Sequence, residues 1–440
     1  MTSPDRTPHA PVPHSPAGDD LTAHDPAGLD PAEHGPTAHD PAESARGTTP
    51  GRALLVGAAA LFTDMLVHGL AVPVLPLLPA VVEQGPAATG VLFSSYAVAM
   101  IVATLFAGRI VDRHGPRTPL LIGMVGLAAA TLLFALGGPY WLLLLARLAQ
   151  GIAGGMSWVA ALSLIAATTS YARRGQAMGI AMSTITLGVL IGPPLAGLLV
   201  EHLGTAAPFL LAAAIALLDG VLRVLLVSGS PRVTDDTGGP LTVLRVPGSV
   251  SITLAIAIGA GVLSGIEPVL PVHLRAGPLL IGLLFGLASL AAIVANPLVG
   301  RAVATASPRL LIGAGIATAA ASVLVIGWAG ELGRTGALWQ TGAGMVLLGI
   351  ASALLLAPAT TLIGEQGFRS EPPTLGGSFA LYSLAYAGGL ALGPLLAGFG
   401  VEAVGFAAAM TCGAVLLLLL GGAALLRLPA RPSTDAAERR

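Results

Sequence analysis

One stretch of sequence, present twice, decides the fold. Residues 62–76 read FTDMLVHGLAVPVLP, and residues 257–271 read AIGAGVLSGIEPVLP. Both stretches are apolar, both end in Pro-Val-Leu-Pro, and each carries one carboxylate, Asp64 in the first and Glu267 in the second. A carboxylate at bilayer depth costs several kcal/mol and is kept where it meets a cavity, a partner or a proton. The pair therefore predicts a duplicated membrane protein with one buried acid in each half, as expected of a proton-coupled transporter.

The composition also indicates a membrane protein. Hydrophobic residues make up 54% and charged residues 10% of the 440 residues, a balance that soluble domains of this size do not have. The formal net charge is −1, so nothing predicts a nucleic-acid partner. The sequence has no phosphate-binding loop, nucleophile elbow or metal-ligand spacing, and we expect neither an enzyme nor a cofactor or metal site.

The first 50 residues differ from the rest of the chain. They are rich in Pro, Ala, His and Asp, and Ala-His-Asp-Pro-Ala occurs at both 23–27 and 38–42. Such a segment buries too little apolar surface to offset its chain entropy. We therefore expect residues 1–50 to be a disordered cytoplasmic tail.

From residue 53 onward the sequence divides into twelve apolar stretches, each long enough for a helix that crosses ~30 Å of hydrocarbon. The predicted spans are 53–82, 88–110, 119–137, 140–168, 177–202, 206–227, 249–274, 278–300, 308–328, 338–363, 376–400 and 404–427. The predicted fold class is an all-α membrane protein with twelve transmembrane helices in two six-helix bundles.

The arginines predict how the chain is oriented. If the N-terminus is cytoplasmic, nearly all arginines that flank the spans face the cytoplasm, and the outer side receives only Arg275 and Arg334. Such a bias predicts that both termini are cytoplasmic, and we expect the protein in the cell membrane.

Further matches relate the two halves of the chain. The Gly-Arg pair at 108–109 recurs at 300–301, and the Gly-Pro pair of 192–193 recurs at 393–394. Parallel repeats of six spans place a substrate site at their interface, near the bilayer midplane. The predicted units are a bundle at 51–228, a central cytoplasmic loop at 229–247, a bundle at 248–428 and a cytoplasmic tail at 429–440.

Three motifs, in order and on the predicted topology, resemble those of the major facilitator superfamily. The loop after span 2 reads GRIVDRHGPR at 108–117, similar to the family signature Gly-x-Leu-Ala-Asp-Arg-x-Gly-Arg-Lys. Span 4 reads RLAQGIAGG at 147–155, similar to the family's Arg-x-x-Gln-Gly motif. Span 5 reads GVLIGPPLAG at 188–197, similar to its antiporter motif. The resemblance covers residues 53–427 and implies the fold of that superfamily.

For the first motif, the resemblance implies a conformational latch that closes the cytoplasmic face. Its residues are Gly108, Asp112, Arg113, Gly115 and Arg117. A carboxylate at this place can cap a helix N-terminus, and the arginines can bind it or lipid phosphates. The alternative is that the charges serve only to set the topology.

For the antiporter motif, the residues themselves predict close packing. Gly188, Gly192 and Gly197 recur at helix-face spacing, and small residues let helices pack backbone to backbone. Pro193 and Pro194 remove backbone donors and are expected to bend the span. A direct role in antiport is implied by the resemblance alone.

Within the superfamily, the chain resembles the twelve-span drug:proton antiporters and, among them, the vesicular amine transporters. The resemblance rests on Asp64 in span 1, Asp219 in span 6 and Glu267 in span 7. That group has further acids in spans 10 and 11. In this chain span 10 has an apolar run around Ala353, and span 11 has a serine, Ser383. Amine specificity therefore does not carry over.

The resemblance implies a proton-coupled antiporter that exports amphipathic organic compounds or drugs, with cationic substrates expected. Its partners would be a small-molecule substrate, protons and the lipid bilayer, and we expect a monomer. Two alternatives stay open. One is an exporter with a single metabolite or antibiotic as substrate, and the other is a transport-inactive membrane sensor or scaffold that uses the His-rich tail.

The candidate residues for proton coupling and substrate are Asp64, Glu267, Arg147 and His68. Arg147 lies inside span 4, where an unpaired charge is costly, and it takes part in proton transfer or pairs with carbonyl groups. Asp64 and His68 share a helix face at i and i+4, so His68 relays protons or is a hydrogen-bonding neighbour. By the repeat offset, Glu267 lies about 12 Å nearer the outer face than Asp64.

Two further groups of polar residues have a predicted location but no predicted part in proton coupling. Asp219 lies four residues before Arg223, and we expect their ion pair on the helix surface near the cytoplasm. Uncharged candidates for the lining of a cavity are polar or aromatic residues on apolar helices, namely Tyr96, Asn296, Tyr382 and Tyr386.

Overall fold

The computed structural model describes residues 49–169, 171–226, 239–303, 305–329 and 333–428. Within these ranges a few side chains also lie outside the description. The predicted N-terminal tail falls almost wholly outside the described residues. The C-terminal tail and the first half of the predicted central loop also lie outside them, so these three predictions stay predictions.

Twelve helices of the described chain are long and apolar enough to cross a membrane. Their bounds are α1 Pro50–Ala71, α2 Gly85–His114, α3 Arg117–Leu136, α4 Tyr140–Thr168, α5 Tyr171–Leu203, α6 Ala207–Leu226, α7 Ser249–Ile266, α8 Pro278–Val303, α9 Pro308–Gly327, α10 Gly333–Arg369, α11 Leu375–Val404 and α12 Phe406–Leu426. The predicted fold class, an all-α membrane protein with twelve spanning helices, is confirmed.

The first and seventh spans are broken, although each was predicted as one continuous helix. α1 ends at Ala71, and α7 ends at Ile266. Proline lacks the N–H that an α-helix needs, and Pro73 and Pro268 follow the last helical residues by two positions, at equivalent points of the two halves. The chain then continues in short helical segments, at Leu75–Leu77 and Pro79–Val82 after α1 and at Leu270–Leu274 after α7.

Several helices extend beyond the apolar stretches that predicted them. α10 runs from Gly333 to Arg369, whereas the apolar stretch covered 338–363, and α2 continues to His114. The backbone bonds of a helix do not require apolar side chains, so the helix continues into the polar region outside the hydrocarbon. Gly115 ends α2 with a φ of 73°, a left-handed conformation that explains the glycine at this position of the loop motif.

The two halves repeat each other in packing detail. In the first half α5 packs on α1, and a Cβ placed on Gly188 would contact the carbonyl of Phe62 and the side chain of Met65. In the second half α11 packs on α7, and a Cβ on Gly389 would contact the carbonyl of Ala257 and the side chain of Ala260. Backbone contacts this close are possible because these positions are glycine.

The halves meet along two equivalent helix pairs, α2 with α11 and α5 with α8. The contacts are again close. A Cβ on Gly282 would collide with the carbonyl of Pro193, and a Cβ on Gly90 would collide with the carbonyl of Pro394. All four residues lie in the halves of their helices away from the arginine-rich side, so the two bundles are tightly joined at the opposite end.

Candidate functional site

Asp64 is buried inside the first half, where Tyr96 is its hydrogen-bond partner. The side chain of Asp64 belongs to α1 and the residue is 3% exposed. The Tyr96 hydroxyl of α2 donates to Asp64 Oδ2 at 2.9 Å, while Oδ1 has no hydrogen-bond partner in the described chain. Tyr96 was predicted to line a cavity, but it is buried and directed at Asp64. An acid with one hydrogen bond and no adjacent water-filled surface is costly to ionise.

His68 connects this residue pair to the second half of the protein. Its ring lies against the Tyr96 ring, with centroids 5.3 Å apart. Its Nε2 lies 3.5 Å from Oε2 of Glu267, the residue that follows α7. The distance suits an ion pair when the imidazole is protonated, but Glu267 Oε2 makes no hydrogen bond with any described group. The histidine therefore lies between the two acids that the sequence predicted at different depths.

Arg147 supplies a buried positive charge beside these acids. Its side chain is fully buried, and its guanidinium carbon lies 5.0 Å from the ring centroid of Tyr96 and 5.4 Å from that of Phe93. Its Nη1 donates to Gln150 at 3.2 Å, and Gln150 in turn donates to Thr131 at 2.9 Å. Nε and Nη2 have no hydrogen-bond partner among the described residues. The guanidinium is thus held largely by aromatic faces.

We call Asp64, His68, Tyr96, Arg147 and Glu267 the buried polar cluster. Glycine 154 of α4 makes room for it, because a Cβ there would lie 2.8 Å from Asp64 Oδ1 and 2.9 Å from the Tyr96 hydroxyl. The sequence analysis missed Gly154, Gln150 and Thr131 as contributors. The stretch RLAQGIAGG at 147–155 contained the first two, but only the packing of α4 against α2 and α3 shows what they contact.

A cavity of about 220 Å³ lies on the arginine-rich side of the cluster. Its wall includes three of the predicted lining residues, Asn296, Tyr382 and Tyr386. Trp158 contributes from α4, and the residues that complete the aromatic and small polar parts of the wall are Phe379, Ser289, Ser352, Thr186 and Thr360. Among the described residues, no Asp, Glu, Arg or His is part of this lining.

Trp158, a residue of the cavity wall, joins the halves of the protein. Trp158 Nε1 of α4 donates to Ser383 Oγ of α11 at 3.1 Å, and both residues are buried. Tyr382 and Tyr386, one helical turn apart on α11, stack with centroids 6.1 Å apart. Ser383 is where the sequence departed from the acidic pattern of the vesicular amine transporters, and here its hydroxyl is a hydrogen-bond partner of Trp158. Ala353, the other departure, is part of the cavity wall.

The antiporter-motif residues lie between the cluster helix and the second half. Gly192 packs on Gly69 of α1, one residue after His68. Gly197 packs on Pro278 and Leu279 at the start of α8. The motif therefore contacts both halves of the protein.

The latch residues lie at the end of α2 and the start of α3. Arg113 and Arg117 are exposed there. The surroundings of Gly108 and of the Asp112 side chain lie outside the described part of the chain, so the latch stays a prediction.

Asp219 and Arg223 form the predicted ion pair, but the predicted surface location is wrong. Both residues are buried, and Arg223 also donates to the Leu120 carbonyl at 2.8 Å and to Ser157 Oγ at 3.2 Å. α6 packs on α3 in this region. The hydropathy of one helix does not show which of its faces a neighbouring helix covers, and that is why the sequence placed the pair on the surface.

The fold and the site define a duplicated, multi-pass membrane protein with a buried polar cluster at the interface of its halves. A family model described as Major Facilitator Superfamily matches residues 57–274 and 249–440. The chain belongs to this superfamily, as its motifs predicted.

Comparison with known proteins narrows the relationship. The chain is 30% identical to the chromaffin granule amine transporter of Rattus norvegicus over 332 residues, which are 74% of this chain and 62% of that protein. It is 28% identical to the synaptic vesicular amine transporter of Homo sapiens over 330 residues, 73% of this chain and 63% of that protein. The predicted relationship to the vesicular amine transporters is confirmed. The chain spans somewhat less than two thirds of the length of these curated relatives.

Among solved structures, the chain is similar to a bacterial homolog of the human lysosomal transporter Spinster, in an inward-facing and unoccupied conformation. The TM-score is 0.69 with 16% sequence identity, and the match covers 86% of this chain and 96% of that one. At this identity the likeness establishes the shared fold alone.

Proposed function

We propose that the protein is a proton-coupled antiporter that exports amphipathic organic compounds from the cytoplasm by alternating access. The observation that carries this proposal is the bridge between the halves: His68 of α1 lies 3.5 Å from Glu267 after α7, beside the buried pair of Tyr96 and Asp64. The relationship to the vesicular amine transporters supports the same class of function.

The cluster gives protons a means of favouring one conformation. Asp64 and Glu267 are nearly fully buried, and each has at least one oxygen without a hydrogen-bond partner in the described chain. Arg147 supplies one compensating charge, so ionising both acids at once leaves a buried negative charge that only a protonated His68 would balance. Because His68 and Glu267 belong to different halves, movement of one half against the other changes their distance. Protonation and conformation are then linked, as coupled transport requires.

The cavity is the proposed substrate site. Its position between Trp158 of the first half and Tyr382 of the second is where an interface site of two parallel repeats is expected. The aromatic part of the wall suits the apolar body of an amphipathic compound. Aromatic faces also attract cations, so a cationic head group is compatible with a wall that has no carboxylate.

The cavity and the Gly-Pro contacts lie on opposite sides of the cluster, and they define the remaining steps of the proposed transport cycle. The cavity lies toward the arginine-rich side, which we propose is cytoplasmic, with both termini on that side in the cell membrane. The Gly-Pro contacts between α5 and α8 close the opposite end. A substrate would enter from the cytoplasm, and the halves would then part at the Gly-Pro end and release it outside. Protons binding at Asp64 or Glu267 would drive the return.

The size of the cavity favours a second candidate, an exporter with one compact substrate. Pockets for drug-sized ligands are typically about 300–1,000 Å³. The cavity here has about 220 Å³. Competition for export among compounds of one chemical type but increasing size distinguishes the candidates, because a narrow exporter would accept only the smallest.

The decisive experiment is dye export into everted membrane vesicles, with and without an imposed pH gradient. Asp64→Asn and Glu267→Gln keep the shape of the side chain but cannot release a proton, and we expect each to abolish uphill export while downhill exchange continues. Glu365→Gln, which alters an exposed acid of α10, is the control and should export normally. Full pH-driven export by the Asp64→Asn/Glu267→Gln double variant would overturn the proposal.

A further inference from the structure

Glu402, near the end of α11, holds the first turn of α2 across the interface of the halves. Its Oε2 accepts a hydrogen bond from the backbone N–H of Ala87 at 2.9 Å. α2 begins at Gly85, so this N–H is one of the helix-terminal donors without a partner inside the helix. A negative charge at this end of a helix is also favoured by the helix macrodipole. The contact is therefore a charged cap supplied by the other half of the protein.

The surrounding packing brings Glu402 to this position. One turn earlier in α11, Gly398 packs directly on Pro86 and Gly90 of α2. Gly85 has a φ of 87°, and a Cβ at this residue would lie 3.4 Å from Glu402 Oε2. The bond is thus part of the contact that joins the halves at the end away from the cavity.

Glu201 is the residue equivalent to Glu402 in the other half. It follows Gly197 by four residues, as Glu402 follows Gly398, and Gly197 packs on Pro278 and Leu279 at the start of α8. Both acids are exposed, but Glu201 makes no hydrogen bond within the part of the chain that the structure describes. Two acids therefore occupy equivalent positions, and only Glu402 connects the two halves.

We propose that Glu402 is a positioning residue for transport. Its bond to the α2 N-terminus stabilises the conformation that is closed at the Gly-Pro end, and the bond breaks when the halves part at that end. Glu201 does not contribute to this closed conformation. The inference rests on the alternating access proposed above, but it requires neither a particular substrate nor proton coupling.

The test measures how often the closed end opens. In a Cys412→Ala background, Ala87→Cys provides a reporter that keeps the capped backbone N–H, and Ala87 is 8% exposed in the closed conformation. A membrane-impermeant maleimide is added on the side where α2 begins, and the labelling rate is measured. Loss of one capping charge is worth about 0.3–1 kcal/mol, so Glu402→Gln should raise the rate about two- to fivefold. Glu201→Gln, the matched control, should label at the parent rate.

Two results would overturn the inference. One is labelling of the Glu402→Gln variant at the parent rate, and the other is an equal acceleration in Glu201→Gln. Immunoblots of membranes and a Gly277→Cys reporter, at an exposed position with no atom within 4 Å of its Cβ, verify that each variant is inserted and reactive. The labelling rates do not depend on dye export. The proposal on Glu402 and the proposal of proton-coupled export can therefore fail independently of each other.

Discussion

His68 Nε2 and Glu267 Oε2 lie 3.5 Å apart, although the two residues come from different halves of the chain. The histidine also lies against Tyr96, whose hydroxyl donates to Asp64. One imidazole thus connects two buried carboxylates, Glu267 directly and Asp64 through Tyr96. The two proposed coupling acids, Asp64 and Glu267, therefore form one connected site. Replacing His68 or Tyr96 should affect both acids.

Tyr96→Phe should impair coupled export. The change removes the hydrogen bond to Asp64 Oδ2 but keeps the ring that lies beneath Arg147 and His68. Hydrogen bonds to charged groups contribute about 1.5–3 kcal/mol, so pH-driven export should fall roughly tenfold or more. Initial rates in everted vesicles measure this. Tyr140→Phe is the control, because it removes a part-buried hydroxyl that donates to the Ala88 carbonyl and lies outside both the cluster and the cavity wall. Equal rates in Tyr96→Phe and the parent would show that the bond to Asp64 is not needed.

Gly154→Ala should be a severe change despite its small size. The added Cβ would lie 2.8 Å from Asp64 Oδ1 and 2.9 Å from the Tyr96 hydroxyl, closer than these atoms can approach without movement. Overpacking of a buried site typically costs about 1–3 kcal/mol, so we expect displaced cluster residues and at least tenfold slower export. Gly342→Ala on α10 is the control, because its nearest neighbour would be 3.9 Å away. Parent-like export by Gly154→Ala would contradict the described geometry of the cluster.

Ala353→Phe should block the cavity without changing the cluster. Ala353 is part of the cavity wall and is 1% exposed, so a phenyl ring there would occupy much of the 220 Å³. We expect substrate binding to be lost in an equilibrium binding assay. Ala343→Phe places the same ring on an exposed position of the same helix and should bind substrate normally. Undiminished binding by Ala353→Phe would move the substrate site elsewhere.

Asp112→Asn tests the latch that the loop motif implies. The variant should lower turnover while substrate affinity stays nearly constant, because a latch changes a conformational equilibrium and does not contact the substrate. Turnover and affinity are measured separately, at matched expression. If turnover is unchanged, the charges of this loop act only on topology.

The orientation is tested by single cysteines in a Cys412→Ala background. Gly51→Cys and Gly277→Cys occupy exposed positions at opposite ends of the bundle, and neither has an atom within 4 Å of its Cβ. The arginine bias predicts that an impermeant thiol reagent labels Gly51→Cys only from the cytoplasm and Gly277→Cys only from outside. The reverse pattern would invert the predicted topology.

The sequence by itself determined the class, the number of spans and the duplication. These follow from local properties of the sequence, namely apolar length, charge bias and the repeated Pro-Val-Leu-Pro motif. It also identified Asp64, Glu267, Arg147 and His68 as candidates, because a charge in an apolar helix is conspicuous without any structure. The prediction of a continuous helix across Pro73 was wrong because it followed the length of the apolar stretch and not the missing N–H of proline.

Only the tertiary structure decided what these residues contact. Helical periodicity gives the face of a side chain but not the helix that covers that face. For this reason Tyr96 was expected at a cavity and is bonded to Asp64, and the Asp219–Arg223 pair was expected at the surface and is buried. The bridge from His68 to Glu267 and the cap from Glu402 to Ala87 join residues far apart in sequence. Such contacts exist only because glycines let particular helices approach closely, and that depends on all twelve helices packing together.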